Sequence, residues 1–246
     1  MLRWTSLLTT SYRHPPRRRS TRWVIRATLL ALGHRVRGVT GIDRLCAQDG
    51  PFVAALNHSQ RTEAFLVPAL LAWLRGGRII RFLADWNFML LPPVYALYKS
   101  ARIIPVASKA ARPRILTRLR PWIAPSPSGH ALARACLERR QPVGLFVEGT
   151  MNRHPTRLLR GRRGAARLSM DAGVPVLPIG IRFPDHDDLD APIADGEPLS
   201  VHVGPPMEPG TTDVARWHAS IMQAVADASQ MTWPGPRPSR VDAMPP

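Results

Sequence analysis

Phe52-Val53-Ala54-Ala55-Leu56-Asn57-His58-Ser59-Gln60-Arg61-Thr62-Glu63 opens with five apolar residues, runs directly into an Asn-His pair, and turns through polar residues into a helical pattern. An apolar run this short, closed by polar residues, fits a strand covered on both faces, as in parallel sheets. Outward from it, β-rich runs recur at 79–83, 102–106, 143–147, 174–181 and 199–203, with helical patterns at about 61–75, 86–99, 129–140 and 158–172 between them. This alternation predicts an α/β fold, a mainly parallel mixed sheet covered by helices. A last helix, at about 212–231, carries Val214, Trp217, Ile221 and Val225 at the spacing of a core-packing stripe. Residues 112–129 hold four prolines and read as a long loop.

The chain of 246 residues divides into a basic amphipathic segment (1–36), one domain (37–232) and a Pro-rich tail (233–246) expected to be disordered. Residues 21–34 form an amphipathic helix with Trp23, Ile25, Leu29 and Leu32 on the apolar side and Arg22, Arg26 and His34 near its edges. Such a helix either lies in a headgroup boundary or packs on the domain with its arginines in water. No apolar run approaches the roughly 20 residues that cross a bilayer, so the chain is expected to lie on a membrane, peripherally and at the cytoplasmic face. Its start lacks the apolar core and cleavage site of a secretory signal. Cys46 and Cys136 are too few for a disulfide framework or a zinc set, which fits a reducing compartment.

Lys and Arg number 34 against 17 Asp and Glu, a net charge of +17 that attracts phosphate-bearing partners. Charge does not choose between nucleic acid, anionic lipid and an acidic cofactor. Nucleic-acid binding calls for aromatics interleaved with basic residues or a binding module, and the Arg17-Arg18-Arg19 cluster has neither around it.

The chemistry-bearing residues stand at strand ends. Asn57-His58 follows the 52–56 strand and Glu63 comes five residues after the histidine, at the carboxyl end of a strand where open α/β sheets place ligands. A histidine backed by a carboxylate keeps the tautomer whose free nitrogen accepts a proton, which suits deprotonation of a hydroxyl. Phe146-Val147-Glu148-Gly149-Thr150 is a second strand running into a turn. Gly149 permits a tight turn, and Glu148 and Thr150 offer an acceptor and a donor to a polyhydroxy group. Ser59 beside His58 invites a nucleophilic reading, but no Gly-x-Ser-x-Gly elbow surrounds it.

In these residues the sequence resembles the lysophospholipid acyltransferases, which include the 1-acylglycerol-3-phosphate acyltransferases. Their first signature, Asn-His, four variable residues and an acidic residue, reads Asn57-His58-Ser59-Gln60-Arg61-Thr62-Glu63, with Glu for the usual Asp. Their third, Phe-Pro-Glu-Gly-Thr-Arg, reads Phe146-Val147-Glu148-Gly149-Thr150-Met151, with arginine delayed to Arg153. The fourth matches Val174-Pro175-Val176-Leu177-Pro178-Ile179-Gly180, after Gly164-Ala165-Ala166-Arg167-Leu168, and the resemblance covers about residues 37–205. In the second signature an Asp-Arg pair typically follows the strand that here ends Ile104-Pro105-Val106, and the aligned positions are Ala107-Ser108. Lys109 or Arg112 is the candidate for that arginine, and Arg153 for the one absent at Met151.

The resemblance implies direct transfer of an acyl group from acyl-CoA or acyl-carrier protein to a lysophospholipid or related lipid hydroxyl, without an acyl-enzyme, metal or resident cofactor. His58 is the implied base and Glu63 its partner. Asn57, Glu148, Gly149, Thr150, Arg153 and Lys109 are the implied substrate-binding residues, and Arg160-Gly161-Arg162-Arg163 is a candidate for the coenzyme A phosphates. Other partners implied are an anionic membrane surface and no nucleic acid. The alternatives are an acyltransferase for a different lipid or glycolipid acceptor and, in a different class, a non-catalytic basic lipid- or nucleic-acid-binding protein.

Overall fold

The computed structural model describes residues 19–87, 99, 101–106, 118 and 128–236. Among them seven strands form one sheet: β1 (Val36–Thr40), β2 (Val53–Leu56), β3 (Arg81–Asp85), β4 (Ile104–Val106), β5 (Val143–Phe146), β6 (Val176–Arg182) and β7 (Leu199–Val203). Their order is β1-β7-β6-β2-β5-β3-β4. Only the β6–β7 pair is antiparallel, so the sheet is mixed and mainly parallel as expected. The helices are α1 (Arg19–Leu32), α2 (Ile42–Cys46), α3 (Glu63–Leu74), α4 (Gly129–Glu138), α5 (Gly164–Ala172) and α6 (Val214–Ser229).

The central strand explains its own composition. Phe52, Ala54 and Leu56 point into one core with Leu66, Leu70, Ile179 and Ile181, while Val53 and Ala55 point into another with Leu168, Trp217, Ile221 and Val225. All five residues of 52–56 are inaccessible to solvent, which is why the run has no polar alternation.

The amphipathic helix α1 divides its apolar residues. Ile25 and Leu29 are buried in the first core, each side chain contributing about 1.5–3 kcal/mol, whereas Trp23 stays 71% exposed. The stripe that would enter a headgroup layer is thus partly committed to the domain. Residues 158–163, expected to begin a helix, form an irregular loop instead, with Gly161 at φ +75°, because their backbone is engaged elsewhere: Leu158 N–H donates to Thr232 C=O, and Arg162 N–H to Val147 C=O. The tail expectation also changes at its start. The Trp233 indole donates to Arg160 C=O and its ring meets His218 edge-on, so residues 233–236 are docked. Residues 1–18, 88–98, 100, 107–117, 119–127 and 237–246, with the first half of the expected 1–36 segment, Lys109 and Arg112, lie outside the described residues.

Gly180 lets α6 cross β6 closely, since a Cβ there would run into the backbone of Ala228 and Ser229. Gly180→Ala is expected to destabilise the fold by about 1–3 kcal/mol or more. Denaturant titration reads this as a lower midpoint at unchanged m-value; an unchanged midpoint would refute the close crossing.

Candidate active site

Parallel register brings the two signatures together. Leu56 pairs with Phe146 at the last position of β2 and β5, so Asn57-His58 and Val147-Glu148-Gly149 leave the sheet side by side at its carboxyl edge. α3 then begins at Glu63, returning the carboxylate to the histidine.

His58 Nδ1 lies 2.5 Å from Glu63 Oε1. The Ser59 N–H donates to the same oxygen, and the carboxylate sits in the first turn of α3, where the helix dipole favours negative charge. Glu63 is fully buried, and desolvation pushes its carboxyl up from the usual range, against the hydrogen bond and charge of His58. The His58 ring also stacks on Phe146, with centroids 4.3 Å apart and planes 23° from parallel. One ring edge and one face are therefore fixed. With the proton on Nδ1 donated to Glu63, Nε2 carries the free lone pair. It has no hydrogen-bond partner among the described residues, and the side chain is 18% exposed.

Glu148 ties three segments to this edge. Its Oε1 accepts from His58 N–H at 3.2 Å; its Oε2 accepts from Asn152 Nδ2 and from Leu159 N–H, each at 2.8 Å. Asn152 N–H in turn donates to His58 C=O at 2.7 Å. Burial raises the Glu148 carboxyl as well, opposed by these donors. Glu148 thus organises the site from within, whereas Gly149, at φ +72°, and Thr150 form the exposed turn beside it.

Besides Glu148, two more of the expected substrate contacts, Asn57 and Arg153, are engaged within the protein. Asn57 is fully buried, its Nδ2 donating to Ile181 C=O at 3.0 Å and its Oδ1 accepting from Ile181 N–H at 2.7 Å. It braces β2 against β6, because a strand ending inside the protein must satisfy its neighbour's backbone. Arg153 donates from Nη2 to Asp195 at 2.7 Å and from Nη1 to Ile193 C=O at 2.6 Å. Asp195 also accepts from Arg61 N–H, and these bonds hold its carboxyl below the usual range. Arg153 therefore fastens the 183–198 connection to the segment that follows Glu148.

Ser59 Oγ is buried and has no hydrogen-bond partner among the described residues, so it is not joined to His58 as a nucleophile would be. Phe146, Asn152 and Asp195 escaped the sequence reading. Phe146 and Asn152 stand within or beside a recognised signature, while Asp195 lies in a connection with no pattern of its own.

A family model described as Acyltransferase matches residues 36–182, which include both signatures and the His58–Glu63 pair. The chain belongs to the acyltransferase family. It is an enzyme that transfers acyl groups. Among solved structures it is similar to the crystal structure of the 1-acyl-sn-glycerophosphate (LPA) acyltransferase, PlsC, from Thermotoga maritima. The TM-score is 0.61 at 16% identity, over 92% of this chain and 86% of that one, a likeness of fold. No curated protein matches the sequence.

Proposed function

We propose that this acyltransferase moves a fatty acyl group from acyl-CoA or acyl-carrier protein to the free hydroxyl of a lysophospholipid such as 1-acylglycerol-3-phosphate. The observation that carries the reading is the His58–Glu63 pair, with Nε2 left without a hydrogen-bond partner among the described residues and the side chain 18% exposed. His58 Nε2 takes the hydroxyl proton as the oxygen attacks the thioester carbonyl. The tetrahedral intermediate then expels the thiolate, which receives that proton from Nε2. Glu63, buried and charged most easily beside a cation, stabilises the imidazolium between the two transfers. The isolation of Ser59 Oγ supports direct transfer over an acyl-serine.

A lipid substrate is supported by an apolar groove between α1 and α3, lined by Val24, Ile25, Phe65, Pro68 and Ala69. Its lining includes Ala64, the residue after Glu63, so the groove borders the helix that carries the catalytic carboxylate. The test is a panel of lysolipids and related hydroxylated lipids with labelled acyl thioesters, followed by lipid chromatography. Labelled diacyl phospholipid is expected. Label passing solely to a glycolipid or another lipid class would refute the lysophospholipid acceptor.

Docking to the cytoplasmic face of an anionic membrane completes the proposal. No helix among the described residues is long and apolar enough to cross a membrane. Trp23 supports surface docking, since it stands out from α1 near the exposed Arg19. Removing all of α1 would expose the core around Leu29, so the informative variant is Trp23→Ser. It should weaken binding to anionic vesicles by roughly tenfold, and the parent's binding should fall as salt rises. Equal binding of parent protein to neutral and anionic vesicles at every salt concentration would contradict electrostatic docking.

A further inference from the structure

The turn at Gly149 is crossed by one charged side chain. A Cβ on Gly149 would lie 2.5 Å from both Cδ and Nε of Arg162, so the absence of a side chain at 149 is what admits the arginine stem. The backbone beneath is anchored, Arg162 N–H donating to Val147 C=O at 2.8 Å. The guanidinium therefore lies against the turn that follows Glu148, whose carboxylate holds the His58 backbone.

Charge around this position is unevenly balanced. Arg153 is neutralised by Asp195, which also lies 3.9 Å from the Arg61 guanidinium. Glu63 and Glu148 are buried, facing His58, Asn152 and backbone donors. Arg162 is exposed and has no acidic or carbonyl partner among the described residues. α5 begins two residues later with no side chain capping its first turn, which adds the partial positive charge of a helix start close by in the chain. A planar guanidinium with free donors, against the turn that follows Glu148 and without a counter-charge among the described residues, suits a phosphate oxygen pair.

We propose that Arg162 binds a phosphate group of the substrates, supplied either by the acceptor's phosphate monoester or by coenzyme A. The proposal rests on the acyl-transfer reading and names the residue that gives it phosphate specificity.

Four substrate combinations separate the sources: 1-acylglycerol-3-phosphate or monoacylglycerol as acceptor, each with acyl-CoA or acyl-pantetheine as donor. Arg162→Ala should lower kcat/KM by about 10- to 100-fold more for a phosphate-bearing substrate than for its phosphate-free counterpart, the size expected for a charge-assisted hydrogen bond. The loss should fall mainly in KM, and Arg162→Lys should restore part of it. A loss that follows the acceptor assigns the acceptor phosphate, and one that follows the donor assigns coenzyme A. A binding readout stands apart from turnover: glycerol 3-phosphate or coenzyme A should raise the Tm of the parent protein more than that of Arg162→Ala. Equal loss in all four combinations, or the same Tm shift in parent and variant, would overturn the proposal. Absence of acyl transfer in every combination would instead overturn the acyl-transfer reading, with the Tm comparison still deciding the phosphate site.

Discussion

His58→Ala is expected to lower acyl transfer by about 100- to 10,000-fold, the range typical of a general base. In the proposed mechanism the residue acts twice, taking a proton from the acceptor and returning it to the leaving thiolate, so no step would escape the loss. The fold should survive. His58 is partly exposed, its ring rests on Phe146, and the backbone bonds that place the segment, His58 N–H to Glu148 and Asn152 N–H to His58 C=O, need no imidazole. A folded variant that retained most of its turnover would remove His58 from the chemistry.

Glu63→Gln should reduce turnover by about 100-fold or more, because an amide keeps the shape but leaves the imidazolium without its counter-charge. Glu63→Asp, which keeps the charge at shorter reach, should fall less. The same Gln substitution is expected to stabilise the protein. Burial holds the Glu63 carboxyl above its ordinary range, so between the unfolded and folded values the native chain keeps a proton that the unfolded chain has released. The stability contributed by that proton is complete below the unfolded value and is lost as pH rises through the folded one. At neutral pH the parent carries a desolvated acid that Gln replaces with a neutral group. Glu63→Gln should raise Tm at pH 7 by about 2–4 °C, the shift that about 1 kcal/mol produces in a chain of this size. The gap should close in acid, where Glu63 is protonated in both states. Parent-like turnover would mean that Glu63 is not the partner of His58, and a lower Tm at pH 7 would mean that their attraction exceeds the burial penalty.

The sheet was legible because its central strand is buried on both faces, and 52–56 could satisfy that burial only as an unbroken apolar run. The His58–Glu63 pair was legible for a related reason: strand end, short turn and helix start are local, and five residues fix the return of the carboxylate. The β1 edge of the sheet left less trace. β1, with Gly38 at its centre, carries little apolar signal and pairs with β7, more than a hundred and fifty residues away. Residues 158–163 looked helical because local pattern does not record that Val147, Glu148 and Thr232 occupy their backbone donors. The roles of Asn57 and Arg153 were hidden likewise. Each side chain is engaged by a distant partner, Ile181 or Asp195, that one sequence does not bring near.

The central claim is direct, His58-dependent transfer of an acyl group from a thioester to a lysophospholipid hydroxyl. A single turnover with labelled acyl thioester and lysophospholipid, quenched over time and separated into protein, lipid and unreacted donor, tests it most directly. Label should pass from thioester to lipid with none held covalently on the protein at any time. Label appearing first on the protein, or remaining wholly in the thioester with every lysophospholipid offered, would contradict the account.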